Sequence, residues 1–427
     1  MVAVGGSIGT GLLLATAAAI ELAGPAVILS FALAAFISWT VALALGELAS
    51  THPAAGSFGV YGDLYLNRWA GFISRAGYWL AISISIGAEM IAAATYMQLW
   101  FPEVAGTVWV IAFSMFLLCV NFLAVRTYAR FEFWFAMIKV AVMVAFIVLG
   151  AALLTTGRVA PQYTSHGGFF PLGLSAPLLA ITFAIYTFGG VEFVAVTSGE
   201  STSVTAIARA VRLTFITLTL VYLGAIIILV GVMPWDRAGV TESPFVTVFR
   251  SVNLPGAAYF MNFVVLTAAL SGSNAALYIS SRMLFSLART GWAPRTFGRL
   301  NAKGSPTLAL IASSFGIVVA LALEQWAHAR AFEYILRGAF FGMLLSWIVT
   351  LAAHISFRRR LSSEEAAKIP ARSHLGMWGS IVGLTVVLAC VGKTWWDSRI
   401  NLIAGLTFLI GLSLAYLILR PRAAQNL

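Results

Sequence analysis

The first residues of the chain combine glycines and hydroxyl side chains in a pattern suited to binding a small zwitterion. Residues 5–11 read Gly5-Gly6-Ser7-Ile8-Gly9-Thr10-Gly11. Each glycine inside a helix costs about 1 kcal/mol relative to alanine, so the cluster predicts a broken helix. A break frees N–H groups, which favour a carboxylate, and C=O groups, which hold an ammonium. An α-amino acid carries both groups on one carbon. The alternative is close helix packing through small residues.

A second glycine pair lies in the middle of a later apolar stretch. Gly189-Gly190 follows the segment Tyr186-Thr187-Phe188 and precedes Glu192. Irregular backbone at membrane depth is tolerated only where it is buried in protein or lines a cavity. Broken spans at matching places in two halves of a chain are typical of transporters, whose substrates lie between the breaks.

Four ionisable residues inside apolar stretches are predicted to serve in proton coupling or gating: Glu89, Lys139, Glu192 and Glu200. Charged side chains within a membrane are costly and usually face a cavity or a partner. A lysine that loses and regains its proton would couple transport to protons, and the Lys139 ammonium could reach carbonyls freed by the first break. The alternative for Lys139 is a permanent ion pair with Glu192 or Glu200. Glu89 either faces the substrate or pairs with another span. Glu200 is more simply explained as a capping or salt-bridge residue at the cytoplasmic end of its span.

The composition places these groups in a membrane protein. Of 427 residues, 60% are hydrophobic and 10% are charged, whereas soluble domains average about 25% charged residues. Apolar runs of about 20 residues, the length that crosses a bilayer, predict an all-α polytopic protein with about twelve transmembrane helices. These lie at about 1–20, 24–47, 70–100, 107–125, 131–154, 174–198, 209–233, 256–286, 306–324, 332–356, 377–395 and 400–419.

Breaks in spans one and six predict a five-plus-five inverted repeat followed by two C-terminal helices. We therefore assign residues 1–154 to the first repeat, 155–357 to the second, and 358–427 to a cytoplasmic loop and spans eleven and twelve. The net charge of +11 is explained by basic cytoplasmic loops, so nucleic-acid binding is not expected. The distribution of Lys and Arg between loops predicts that both termini face the cytoplasm.

No motif for catalysis, a metal or a cofactor is present in the sequence. Gly6-x-x-Gly9-x-Gly11 is neither preceded by a strand nor followed by a βαβ pattern, and no His-Glu-x-x-His segment occurs. An enzyme is therefore not expected, and neither a cofactor nor a metal ion is predicted.

The chain resembles an amino-acid permease of the amino acid–polyamine–organocation superfamily, in its branch of bacterial amino-acid/proton symporters. The similarity runs along nearly the whole chain. It rests on residues 5–12, Ala44-Leu45-Gly46-Glu47-Leu48-Ala49, Ala88-Glu89, residues 133–140, Gly190-Val191-Glu192 and Ser281-Arg282-Met283-Leu284.

This resemblance implies a LeuT-like fold that imports an amino acid across the cytoplasmic (inner) membrane by proton symport and alternating access. It implies that Lys139 stands in for a sodium ion. The implied carboxylate site is the backbone of Gly9, Thr10 and Gly11. The implied ammonium site is the set of carbonyls of Ser7, Ile8, Tyr186, Thr187 and Gly189, with Tyr186 or Phe188 closing over the substrate.

Two alternatives to proton-coupled import stay open. The same fold serves exchangers and carriers of amines. Members of the resembled family also have a longer first half-helix ahead of the glycines, so span one is expected to be truncated at its N-terminus. An inactive remnant is therefore the second alternative.

Overall fold

The computed structural model describes residues 2–53, 57–123, 125–193, 204–238, 242–251, 255–301, 304–327 and 331–419. Helices make up most of these segments, and residues 156–175 form a longer connection of turns and irregular backbone. We number them α1 (Val2–Ser7), α2 (Thr10–Leu13), α3 (Ala15–Ala23), α4 (Val27–Thr51), α5 (Ser57–Tyr65), α6 (Arg68–Met97), α7 (Gly106–Leu123), α8 (Val125–Thr155), α9 (Ala176–Leu179), α10 (Ile181–Thr187), α11 (Val204–Val232), α12 (Pro244–Ser251), α13 (Pro255–Arg289), α14 (Thr307–Ser313), α15 (Phe315–Ala327), α16 (Ala331–Arg360), α17 (Ser363–Ala367), α18 (Gly376–Asp397) and α19 (Arg399–Leu419).

The described helices confirm the all-α polytopic architecture. Eight helical stretches of 21 to 37 residues are long and apolar enough to cross a membrane. The other predicted spans are shorter or interrupted. The first consists of α1, α2 and α3, the fourth is α7, the sixth contains α9 and α10, and the ninth is divided into α14 and α15.

Some boundaries differ from the prediction, for local reasons. The second span begins at Val27 rather than residue 24, because Gly24–Ala26 form a 3-10 turn in which Gly24 has φ +58°. The charged segment after residue 357, predicted as a loop, contains the short helix α17. That helix is capped because the Ser362 side chain accepts from the N–H of Glu365, while the Glu365 side chain accepts from the N–H of Ser362.

The long helix α6 lies at the centre of the molecule. It packs against α5, α13, α15 and α16, and it carries Tyr78 and Glu89 into the protein interior. By contrast, α19 lies at the periphery, where Ile403, Ile410 and Leu417 are each more than half exposed. Apolar side chains exposed in this way belong in lipid.

A buried ion-pair cluster joins α4 and α16 to the segment before α18. Arg358 Nη2 donates to Glu47 Oε2 at 2.6 Å, and Arg358 Nε lies 2.6 Å from Glu47 Oε1. The backbone N–H of Ser373 donates to the same Oε2 at 2.7 Å, and His354 Nε2 lies 3.4 Å from it. The Glu47 side chain is fully buried. Several donors converge on one carboxylate, so the cluster fixes the end of α4 against α16.

We predict that Glu47→Gln destabilises the protein because it leaves the Arg358 charge buried without a counter-ion. Removing one partner of a buried pair costs roughly 3–5 kcal/mol. The matched control is Glu364→Gln, since the Glu364–Lys368 pair is exposed at 80% and 72% and such pairs contribute about 0.5 kcal/mol or less. The apparent Tm in detergent should fall clearly for Glu47→Gln alone. Equal Tm values for the two variants would contradict a stabilising role for the cluster.

Candidate functional site

The first break lies where the glycine cluster predicts it. Helix α1 ends at Ser7 and α2 begins at Thr10, and the two residues between them are not helical. Gly9 is extended, with φ −129° and ψ −153°. The predicted break in span one is therefore confirmed.

The second break is confirmed at the second glycine pair. Helix α10 ends at Thr187, and residues 188–192 form turns. Gly190 has φ +101°, in the left-handed region that residues with a Cβ rarely adopt. The chain therefore leaves the helical path at Gly190 at no steric cost.

The two breaks touch one another. Thr187 Oγ1 donates to the carbonyl of Gly11 at 2.9 Å, and a Cβ placed on Gly11 would lie 3.1 Å from Thr187 Cα. On the other side, a Cβ placed on Gly190 would lie 2.9 Å from the Cβ of Ser7. Glycine is needed at these positions because the two backbones approach so closely.

Side chains from other helices satisfy carbonyls at the end of α1. Lys139 of α8 is buried, and its Nζ donates to the carbonyl of Gly5 at 2.7 Å and to Ser271 Oγ at 2.9 Å. The Tyr222 hydroxyl of α11 donates to the carbonyl of Ser7 at 2.8 Å. The expectation that the Lys139 ammonium reaches a carbonyl of the first break is confirmed.

Glu89 of α6 faces the same break from the opposite side. The backbone N–H of Thr10 donates to both of its carboxylate oxygens, at 3.3 Å to Oε1 and 3.4 Å to Oε2. Glu89 is buried, with 8% of its surface exposed. Glu89 therefore contacts the first span at its break, and its role toward a substrate stays a prediction.

Glu192 is fully buried just beyond Gly190. Its Oε1 accepts a hydrogen bond of 2.9 Å from the Tyr78 hydroxyl, and the backbone N–H groups of Gly190 and Glu192 and the Trp347 indole also approach the carboxylate. Glu200, the fourth predicted ionisable residue, lies outside the described residues.

A cavity of about 460 Å³, counted to include its open end, lies between the two breaks. The predicted substrate-binding residues that line it are Ser7, Gly9, Gly11, Tyr186, Thr187 and Gly189, together with Glu89.

Three predicted residues do not line this cavity. Ile8 and Thr10 are fully buried in the first break. Phe188 packs against Tyr222, with ring centroids 5.2 Å apart, and against Phe31 at 6.5 Å. Of the two aromatic residues predicted to cover a substrate, Tyr186 is the one at the cavity.

The cavity also contains residues that the sequence did not single out. Ile82, Ser85, Gly272 and Met343 reach it from α6, α13 and α16. Ser85 lies four residues before Glu89, so helical spacing places both on one face and could have identified it. No sequence pattern marks Gly272 or Met343, because their position depends on how the helices pack. Among the described residues, no group of three His, Cys, Asp or Glu side chains could hold a metal ion.

Sequence comparisons relate the chain to bacterial permeases. The profile of the amino acid permease family matches residues 1–420. The chain is 34% identical to the uncharacterized amino acid permease YtnA of Bacillus subtilis, over 97% of this chain and 92% of that relative. It is 33% identical to the aromatic amino acid transport protein AroP of Escherichia coli K12 (92% and 88%). It is 32% identical to the gamma-aminobutyric acid permease of Bacillus subtilis (100% and 93%).

A solved structure shares the fold. The manganese transporter of Eremococcus coleocola superposes with a TM-score of 0.59 over 98% of this chain and 92% of that protein. The sequence identity is 15%, so the similarity concerns the fold alone.

We predict that Gly190→Ala destabilises the protein, because alanine at φ +101° is strained and its Cβ meets Ser7. Such backbone strain costs about 1–3 kcal/mol. Gly392→Ala in α18 is the matched control, since a Cβ there meets nothing within 4 Å. The apparent Tm in detergent should fall for Gly190→Ala, whereas for Gly392→Ala, which replaces a glycine inside a helix, it should stay level or rise. A Gly190→Ala protein as stable as the wild type would show that the close contact of the breaks is not required.

Proposed function

The chain belongs to the amino acid permease family, and from that premise we propose that it imports a neutral amino acid across the cytoplasmic (inner) membrane by proton symport. The observation that supports this most strongly is the meeting of two helix breaks at one cavity. The first break contains the N–H of Thr10, which donates to Glu89, and the carbonyl of Gly11, which accepts from Thr187 of the second break. A backbone donor and a backbone acceptor at one site suit the carboxylate and ammonium of an amino acid.

The proposed binding mode uses the backbone for the groups that all amino acids share. The carboxylate would bind at the N–H groups of Gly9, Thr10 and Gly11. The ammonium would bind at carbonyls of Ser7, Ile8, Tyr186, Thr187 and Gly189. Tyr186 would cover the substrate, while Phe188 supports the second break by packing against Tyr222.

The lining of the cavity supports a neutral substrate side chain. Ile82, Tyr186, Phe193 and Met343 make much of the wall apolar. Glu89 is the one ionisable carboxylate that lines it among the described residues. The similarity to a transporter named for aromatic amino acids supports phenylalanine as the first substrate to test.

Proton coupling is assigned to buried ionisable groups beside the breaks. Glu192 follows the second break, and a proton bound at its fully buried carboxylate would remove a buried charge. Lys139 holds the first break through the carbonyl of Gly5, so a change in its charge would alter that contact. The Glu89 carboxylate accepts a hydrogen bond from the Thr10 N–H. Glu200 is proposed to cap a helix or form a salt bridge at the cytoplasmic end of span six.

The proposed topology follows from the basic residues. Both termini face the cytoplasm, where the Arg358-Arg359-Arg360 run at the end of α16 would also lie. Residues 1–154 and 155–357 are proposed as the two inverted repeats, with 358–427 appended. Alternating access would then arise from movement of one set of helices against another around the two breaks.

An amine carrier or exchanger of the same fold is the second proposal, supported by the similarity to a permease named for γ-aminobutyric acid. The two proposals differ in driving force and in substrate. An exchanger needs substrate on the opposite side of the membrane, whereas a symporter needs a proton gradient.

The test is uptake of labelled phenylalanine, threonine and γ-aminobutyrate into proteoliposomes with the outside at pH 6 and the inside at pH 7.5. We expect phenylalanine to accumulate with this gradient and not without it. Uptake that requires internal substrate and ignores the gradient would favour the exchanger. No uptake of any probe under either condition would overturn the transport proposal.

Lys139→Met serves as the internal test of coupling in the same assay. The variant removes the donor to Gly5, so gradient-driven accumulation should be lost. Lys368→Met is the matched control, since the exposed Lys368 directly follows α17 and its replacement should leave accumulation at the wild-type level. Normal accumulation by Lys139→Met would remove Lys139 from the coupling mechanism.

A further inference from the structure

The cavity contains a carboxylate supplied by the protein itself. Both oxygens of Glu89 lie within hydrogen-bond distance of the Thr10 N–H, the backbone group that the proposed binding mode gives to the substrate. The first break can therefore bind a carboxylate at this position.

The space around the Glu89 carboxylate is shaped by two glycines from different helices. A Cβ on Gly9 would lie 2.6 Å from Oε1, and a Cβ on Gly272 would lie 3.2 Å from the carboxyl carbon. Any side chain at either position would compete with the carboxylate for space. The break and α13 thus form a slot about one carboxylate wide.

We propose that Glu89 is an internal substitute for the substrate carboxylate, and that an amino acid binds only when Glu89 gives up the Thr10 N–H. This inference rests on the proposed function and adds a reason for coupling. Two ionised carboxylates cannot share one N–H inside a low-dielectric cavity without strong repulsion. A proton taken from the side on which the substrate enters neutralises Glu89 and releases the N–H. When the substrate leaves, the proton leaves Glu89 and the carboxylate returns.

The surroundings of Glu89 fit this exchange. The titratable groups with an electrostatic influence on it or from it are Lys139 of α8, Tyr96 of α6, Tyr186 of α10 and Tyr222 of α11. Lys139 donates to Gly5 and Ser271, and the Tyr222 hydroxyl donates to Ser7. These hydrogen bonds hold the backbone of the first break and do not involve Glu89. The Glu89 carboxylate can therefore change its partner while they are kept.

If Glu89 substitutes for the substrate carboxylate, a change of pH should have opposite effects on the binding of two ligands. L-Phenylalanine brings its own carboxylate and competes with Glu89. 2-Phenylethylamine has the same ring and ammonium but no carboxylate, so it binds together with the ionised Glu89. Raising the pH should therefore weaken phenylalanine binding and strengthen amine binding.

The experiment measures equilibrium binding of labelled L-phenylalanine and 2-phenylethylamine to the purified full chain between pH 5.5 and 8.5. For Glu89→Gln we expect phenylalanine binding that no longer depends on pH and is about tenfold tighter than wild type at pH 8.5, because a neutral amide is the weaker competitor for the N–H. Amine binding should weaken about tenfold. Glu103→Gln, at an exposed position, is the control and should match the wild type.

Glu89→Asp keeps the charge on a shorter side chain that no longer reaches the N–H, and it guards against poor folding of the glutamine variant. It should bind phenylalanine more tightly than wild type at pH 8.5. Weaker binding of both ligands in both variants, with the pH dependence unchanged, would overturn the inference and leave Glu89 a structural role. Failure of the wild type to bind phenylalanine at any pH would instead overturn the proposed substrate class.

Discussion

Backbone groups freed at the two helix breaks need partners in an apolar interior, and much of the molecule is arranged to supply them. An unpaired polar group in a low-dielectric medium costs several kcal/mol. Four side chains donate to carbonyls of the first span, three from α8, α11 and α10 and one from the residue before α12. Lys139 donates to Gly5, Tyr222 to Ser7, Thr187 to Gly11 and Ser243 to Leu13. These hydrogen bonds hold α8, α10, α11 and the start of α12 around the first span.

The Thr10 N–H donates to Glu89, which lines the cavity, so the partner of this N–H is a side chain that can change its charge. A permanent hydrogen bond to a neutral group would fix the break in one state. A bond to Glu89 depends on the protonation of the carboxylate and on competition from another anion. Because the freed N–H needs a partner and that partner is Glu89, the first break is sensitive to the protonation of Glu89 and to competing anions. On the proposed account, the contribution of Glu89 to coupling arises from this competition at one N–H.

The sequence reveals the elements of the site better than their contacts. Glycine density predicts both breaks, because the cost of glycine in a helix is local. The contact of Lys139 with the first break is one of two arrangements that the sequence allows, since a buried ammonium must find acceptors or a counter-ion. The sequence leaves open whether Glu89 faces the substrate or pairs with another span, because this depends on the rotation of α6 against the first span. Phe188 and Tyr186 are two residues apart in one segment, and only packing against Tyr222 separates their roles. The partners of Glu47 come from residues 354–373, a long-range pairing with no local pattern.

The most direct measurement is an experimental structure of the full chain with L-phenylalanine bound. The account predicts that the ligand carboxylate lies within hydrogen-bond distance of the Thr10 N–H and that the Glu89 carboxylate has moved off it. It also predicts that Lys139 keeps its contact with Gly5. A structure in which phenylalanine occupies the cavity while Glu89 remains on the Thr10 N–H would contradict the account.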